Sequence, residues 1–290
     1  MRTWIKRLLV SAPLVFILFI VIVSSCMTFR QSDKKTIASF EENNIEAEIH
    51  HVKYNSRPIR YIESGFEKDK DNLIVFIHGA PGSSRDLLSY LYDSSLLSVA
   101  RMISIDRPGY GYSGYGEAVT SIEQQSLIIN ELIGGVSEKN IILVGHSFGG
   151  PIAAKASVLN KAIDAVVMLA PVNDPYNEKM FWVSYLGKWK ITRWMVSDAL
   201  KVATDEKFTH ADELLLMQED WNKINVPVLH IHGHKDWLAP LSNVEWSRQN
   251  IAKEQLILLE DPELDHFIPF TQKSLVVNEL IKLINSLDRK

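Results

Sequence analysis

From residue 45 onward, short apolar runs and amphipathic stretches take turns along the chain. Residues 45–63 alternate apolar and polar positions in two segments that meet at Asn55-Ser56, the pattern of a hairpin. Residues 73–77, 102–105, 141–144, 165–169, 226–231 and 255–259 are compact apolar runs, rich in β-branched side chains. Such runs read as strands buried on both faces. Residues 121–133 and 271–287 carry helical periodicity instead. Alternation of this kind predicts an α/β fold, with a mostly parallel central sheet and helices on both faces. In such sheets reactive side chains lie just beyond the carboxyl ends of the strands.

Residues 173–223 break the rhythm. They hold no convincing strand, read as helical, and contain Trp182, Trp189, Trp194 and Trp221. Phe181, Trp182, Tyr185, Leu186 and Trp189 fall on one face at helical spacing. The pattern predicts a helical cap over 173–224, inserted between core segments 45–172 and 225–290. Its aromatics serve as glue to the core, and Trp182 and Tyr185 are expected to line an acyl or alkyl site.

The amino terminus reads as a separate unit. Arg2, Lys6 and Arg7 precede an apolar run over 8–23, and Ser24-Ser25-Cys26 closes it. A basic start, an apolar middle and small residues at the end make residues 1–25 a secretory signal or a membrane anchor. Val23-Ser24-Ser25-Cys26 also resembles a bacterial lipobox, in which the cysteine is lipidated. Cleavage after Ser25 without lipidation and an uncleaved transmembrane anchor remain competing readings. Cys26 is the sole cysteine and falls where a lipobox needs it, so the expectation is an exported protein held to the membrane at Cys26. Residues 26–44 are polar and charged and read as a tether.

Composition narrows the partners. A single cysteine excludes an intramolecular disulfide and any zinc site built on several cysteines. The formal charge of −4, without a basic stretch, argues against nucleic acid. Nothing in the sequence speaks to the oligomeric state.

The sharpest chemistry sits in Gly145-His146-Ser147-Phe148-Gly149. A buried-strand pattern precedes it and an Ala-rich helical pattern follows, the setting of a G-x-S-x-G nucleophile elbow. Three fixed positions say little alone, so the partners decide. A serine hydroxyl needs a base, an orienter for that base, and donors for the oxyanion. His266 follows the last predicted strand and Asp236 the one before it, giving the chain order Ser, Asp, His. The amide of Phe148 is one candidate oxyanion donor. Ala80, within His78-Gly79-Ala80-Pro81-Gly82 directly after the 73–77 strand, supplies the other.

With Asp106-Arg107-Pro108-Gly109-Tyr110-Gly111-Tyr112-Ser113, these segments resemble the α/β-hydrolase superfamily, specifically its capped members with a His-Gly-x-Pro-Gly oxyanion turn. The resemblance implies that Ser147 is the nucleophile, His266 the base and Asp236 its orienter, and it makes 106–113 a structural turn near the site. Some relatives carry the acid one strand earlier, which leaves Asp174 as a runner-up orienter. The implied activity is hydrolysis of a carboxylic ester or related acyl bond in a small molecule, with no cofactor and no metal. Perhydrolase chemistry, an aminopeptidase activity and a non-catalytic binding role are the alternatives. An aminopeptidase would need acidic residues in the cap. Glu178, Asp198, Asp205 and Glu206 are available there, though solvated surface explains them equally well. His230, His232 and His234 alternate along a strand and invite a metal reading, but no further ligand cluster completes it.

Overall fold

A computed structural model of the chain describes residues 15, 18–22, 27–66 and 70–287. Cys26 and most of the 1–25 segment lie outside the described residues. Among the described residues, no helix is long and apolar enough to cross a membrane.

Eight strands form one sheet: β1 (Ala47–Tyr54), β2 (Arg57–Ser64), β3 (Asn72–Ile77), β4 (Ala100–Ile105), β5 (Asn140–His146), β6 (Ala165–Leu169), β7 (Val228–Gly233) and β8 (Leu256–Asp261). Their spatial order is β1-β2-β4-β3-β5-β6-β7-β8. The β1–β2 hairpin is antiparallel, turning at Asn55 and Ser56, both at positive φ, and β2 runs antiparallel to β4. Every pairing from β4 through β8 is parallel.

β3, β5, β6 and β7 are buried along their whole length, because helices cover both faces of the sheet. Alternation divides each strand between two cores. Ile74, Phe76, Ile142, Val144 and Val167 join one cluster, while Leu73, Val75, Ile141, Leu143 and Val166 join the other. Each such aliphatic side chain contributes roughly 1.5–3 kcal/mol by leaving water.

Register then fixes where the chemistry lies. Ile77 pairs with Gly145, Gly145 with Met168, Leu169 with Ile231, and Ile231 with Leu259. The carboxyl ends of five neighbouring strands therefore open on one edge. The turns after β3, β5, β7 and β8 carry Ala80, Ser147, Asp236 and His266 to it.

Two expectations change. Residues 26–44 are more than a tether, since Asp33–Glu41 is a helix that buries Phe40 and Thr36 against the core. Ser32 caps it, and Asp33 reaches the Arg60 guanidinium at 2.8 Å. Between β6 and β7 the chain holds a short helix at Ser184–Lys188 and a long one at Asp198–Leu216. Only Trp221 of its four tryptophans is a core residue; Trp182, Trp189 and Trp194 are exposed.

Candidate active site

The β5 strand ends in a turn that leaves almost no room. Ser147 adopts φ +52°, a left-handed conformation costing a non-glycine residue about 1–2 kcal/mol. The glycines around it answer to contact distance. A Cβ on Gly145 would lie 2.2 Å from the Gly149 carbonyl oxygen, and one on Gly149 would lie 2.3 Å from that of Ile77. Bulk at either position would push the Gly149–Leu159 helix off the sheet. The Ser147 amide donates to Leu169 O at 2.9 Å and its carbonyl accepts from Gly150 at 3.0 Å, so the strained residue is held on both sides.

Asp236 and His266 meet although thirty positions separate them. His266 Nδ1 lies 2.8 Å from Asp236 Oδ2. The other carboxylate oxygen accepts from the amides of Leu238 and Ala239 at 2.9 and 2.7 Å. Both residues are buried, and Ser147 and His266 line the same cavity. Asp174 is engaged elsewhere, accepting from the Tyr176 amide and the Asn177 side chain.

Buried imidazoles stiffen this edge. Arg107 N donates to His78 Nε2 at 3.0 Å, so the ring proton sits on Nδ1 and is donated to Gly79 O at 2.7 Å. Burial, then the Arg107 charge, keeps His78 well below the usual imidazole range. Burial also pushes His146 down to about 3, and its Nε2 lies 3.1 Å from the carbonyl of His266, which it reaches as a neutral donor. Arg107 further donates to the carbonyls of His78 and Gly79 and pairs with Glu206 at 2.6 Å. Tyr110 and Gln125 complete the Glu206 carboxylate. The turn that carries Ala80 is thus clamped to the long helix of the segment above it. Asp106 closes its own turn, accepting from Ser84 N and Tyr112 N, and a Cβ on Gly111 would lie 2.1 Å from its carboxyl carbon.

His230 and His232 share a face of β7, as their alternation predicts, and form a relay. His232 Nε2 donates to Ala239 O, so its Nδ1 accepts from His230 Nε2, and His230 Nδ1 accepts from Ser247 Oγ. Both are fully buried and held below the usual imidazole range, first by burial. The relay ends on the residue whose amide holds Asp236. Its role here is support for that loop.

A cavity of about 490 Å³ opens over Ser147. Ala80 and Phe148 line it, as do Phe181, Val183, Phe267 and Phe270. Trp182 and Tyr185 do not, which corrects the expectation for them. The Ser184–Lys188 helix lies so close to the Asp198–Leu216 helix that a Cβ on Gly187 would be 2.3 Å from Thr204 Oγ1. Small residues therefore face inward, and Trp182 is 76% exposed.

Three of the four cap acids are engaged, while Asp198 is a half-exposed partner of Lys201 on its own helix. Glu206 is fully buried, Asp205 pairs with Arg193, and Glu178 meets Lys207 at 2.5 Å and His210 Nδ1 at 2.8 Å. Burial alone would raise the Glu178 carboxyl, but these two partners outweigh it and hold it below its ordinary value. His210 also lines the cavity, and its Nε2 has no hydrogen-bond partner among the described residues. Phe29, from the stretch read as a tether, lines the cavity too. A lone aromatic in a polar run was its only signal in the sequence.

The profile of the Alpha/beta hydrolase family matches residues 74–279. The chain belongs to that family. Membership supports a hydrolytic enzyme, and the α/β hydrolase fold recurs among solved structures. A serine hydrolase from the polyaromatic-hydrocarbon-degrading bacterium Cycloclasticus zankles is similar at a TM-score of 0.66 and 17% identity, over 83% of this chain and 98% of that one. A membrane phospholipase A described as a bacterial virulence factor is similar at 0.65 and 15% identity, over 100% and 99% of the two chains. Among curated proteins, a multifunctional-autoprocessing repeats-in-toxin of Vibrio cholerae serotype O1 is 31% identical over 85 residues, 28% of this chain. That match spans only 2% of the toxin.

Proposed function

We propose that this α/β hydrolase cleaves carboxylic esters through an acyl-enzyme on Ser147. The observation that carries the reading is the 2.8 Å contact of His266 Nδ1 with Asp236 Oδ2, beside a cavity that Ser147 and His266 share. Asp236 fixes the tautomer of His266 that leaves Nε2 free to accept the Ser147 proton. Oγ then attacks the ester carbonyl carbon, and the carbonyl electron pair moves onto its oxygen. The Phe148 and Ala80 amides stabilise that oxyanion, each donor being worth about 10²–10³ in kcat. The tetrahedral species collapses, the alkoxide leaves with the proton from His266, and water repeats the sequence to release the acid. Glu178 is committed to Lys207 and His210, which argues against its recognising a substrate ammonium group. His210 Nε2 remains to meet a polar group of the substrate. For localisation we propose export and attachment to the membrane at Cys26.

Fluorophosphonate labelling of the wild type beside Ser147→Ala tests the chemistry, followed by a p-nitrophenyl ester series of rising chain length. Wild-type protein should label, Ser147→Ala should not, and turnover should rise with acyl length until the cavity is filled. A folded wild type that takes up no label overturns the proposal.

A further inference from the structure

Exposed apolar side chains concentrate on one stretch of the segment between β6 and β7. Trp182, Val183, Trp189, Ile191 and Trp194 are 76%, 51%, 55%, 80% and 62% exposed. Single exposed apolar residues need no explanation, but a cluster of this size does. Lys188 and Lys190 lie among them, Arg193 being taken up by Asp205, and residues 182–194 contain no acid. Tryptophan interleaved with cations suits the boundary between water and anionic lipid.

Two further features identify the occupant. The proposed membrane attachment at Cys26 is followed directly by Met27, whose carbonyl accepts from Ser197 Oγ at 2.9 Å, three positions beyond Trp194. Phe29 then enters the cavity wall, and the Arg30 guanidinium lies over the Tyr112 ring at 4.1 Å. The residue that follows the proposed attachment point is therefore tied to the segment that carries the aromatics. The cluster also continues to the cavity. Phe181 lines the cavity and meets the exposed Trp237 edge-on at 5.6 Å, while the half-exposed Phe267 and Phe270 line it as well.

We propose that the 182–194 face rests on an anionic phospholipid bilayer, so that the cavity opens at the bilayer surface and takes amphiphilic acyl esters dissolved in it. The substrate class rests on the ester-hydrolase reading; the docking does not. Tryptophan rings settle at the headgroup level, Lys188 and Lys190 meet lipid phosphates, and the anchor brings the face to the surface at high effective concentration.

The test uses the protein lipidated at Cys26, bound to phosphatidylcholine vesicles with a minority of phosphatidylglycerol and with acyl chains brominated near the headgroup. Bromolipid should quench the tryptophan fluorescence. In the Lys190→Glu/Ile191→Glu variant, which keeps every tryptophan of the face, the quenching should fall. Hydrolysis of a long-chain ester dissolved in the vesicles should drop roughly tenfold, as expected for acid placed at a lipid boundary. Turnover of a water-soluble short ester and labelling at Ser147 should be unchanged, and co-sedimentation with vesicles, which reports only the anchor, should persist. Equal quenching in both proteins, or none in the wild type, overturns the docking. So does a wild-type dimer that the variant dissolves while quenching is unaffected, since a second copy then covers the face. Loss of labelling with quenching intact defeats the hydrolase reading alone.

Discussion

Asp236 divides its carboxylate between two tasks: one oxygen is anchored by backbone amides and the other holds His266. Asp174, the competing acid, is committed to Tyr176 and Asn177. Asp236→Asn should therefore lower kcat by about 10³–10⁴ through loss of the correct imidazole tautomer, while Asp174→Asn leaves turnover within a few-fold. Steady-state kinetics on a short ester decides this, and the reverse outcome would exchange the two roles. Glu206 makes a different case. It is fully buried between Arg107, Tyr110 and Gln125, and Arg107 in turn holds the carbonyls of His78 and Gly79, beside the candidate oxyanion donor Ala80. Glu206→Ala leaves an unpaired buried guanidinium and should cost roughly 3–5 kcal/mol in urea unfolding. Its kcat should fall while KM stays close to the wild-type value. At this scale the triad candidates were legible because their order and their positions after strands are sequence properties. The Glu206 link was not, since a lone acid in a helical stretch looks the same whether it faces water or a buried arginine.

At the scale of elements, the strands were legible with small shifts of their ends, because runs buried on both faces declare themselves by composition. The helical segment between β6 and β7 was legible as helical but not in its orientation. Apolar spacing placed Trp182 and Tyr185 toward the cavity, whereas close contact between two helices admits only Gly187 beside Thr204 and turns the aromatics outward. Gly187→Val should force those helices apart, since the new side chain would overlap Thr204. A loss of about 1–3 kcal/mol in thermal or urea unfolding, together with altered chain-length preference in the ester series, is the expected result. Unchanged stability would show that the two helices do not pack this tightly. The Asp33–Glu41 helix escaped the sequence reading because its mean polarity is that of a tether, and only Phe40 and Thr36 betray a buried side.

The whole molecule carries several imidazoles in places where a charge is unwelcome. His78, His146, His230 and His232 are all held below the ordinary range by burial, His146 at about 3. An unfolded chain protonates these rings near pH 6.5 while the folded one resists. Their contribution to stability is therefore intact above that pH and is lost as the pH falls from 6.5 toward 3. Asp86 opposes them, because burial raises its carboxyl to about 6 and the folded state keeps that proton. Its contribution is present below pH 3.8 and is lost as the pH rises through 6. Four rings against one carboxyl predict a falling thermal midpoint between pH 6.5 and 4.5, measurable by calorimetry; a flat or rising profile would show that the rings titrate normally. The sequence by itself determined the fold class, the chain order of Ser147, Asp236 and His266 as candidates for nucleophile, acid and base, and the apolar start, because periodicity, motif spacing and composition are local in the chain. The tertiary structure decided which acid meets His266, what Glu206 and the β7 histidines are for, and which aromatics face the cavity and which face outward. Those outcomes depend on the register of parallel strands and the approach of helices far apart in sequence, which no local pattern encodes.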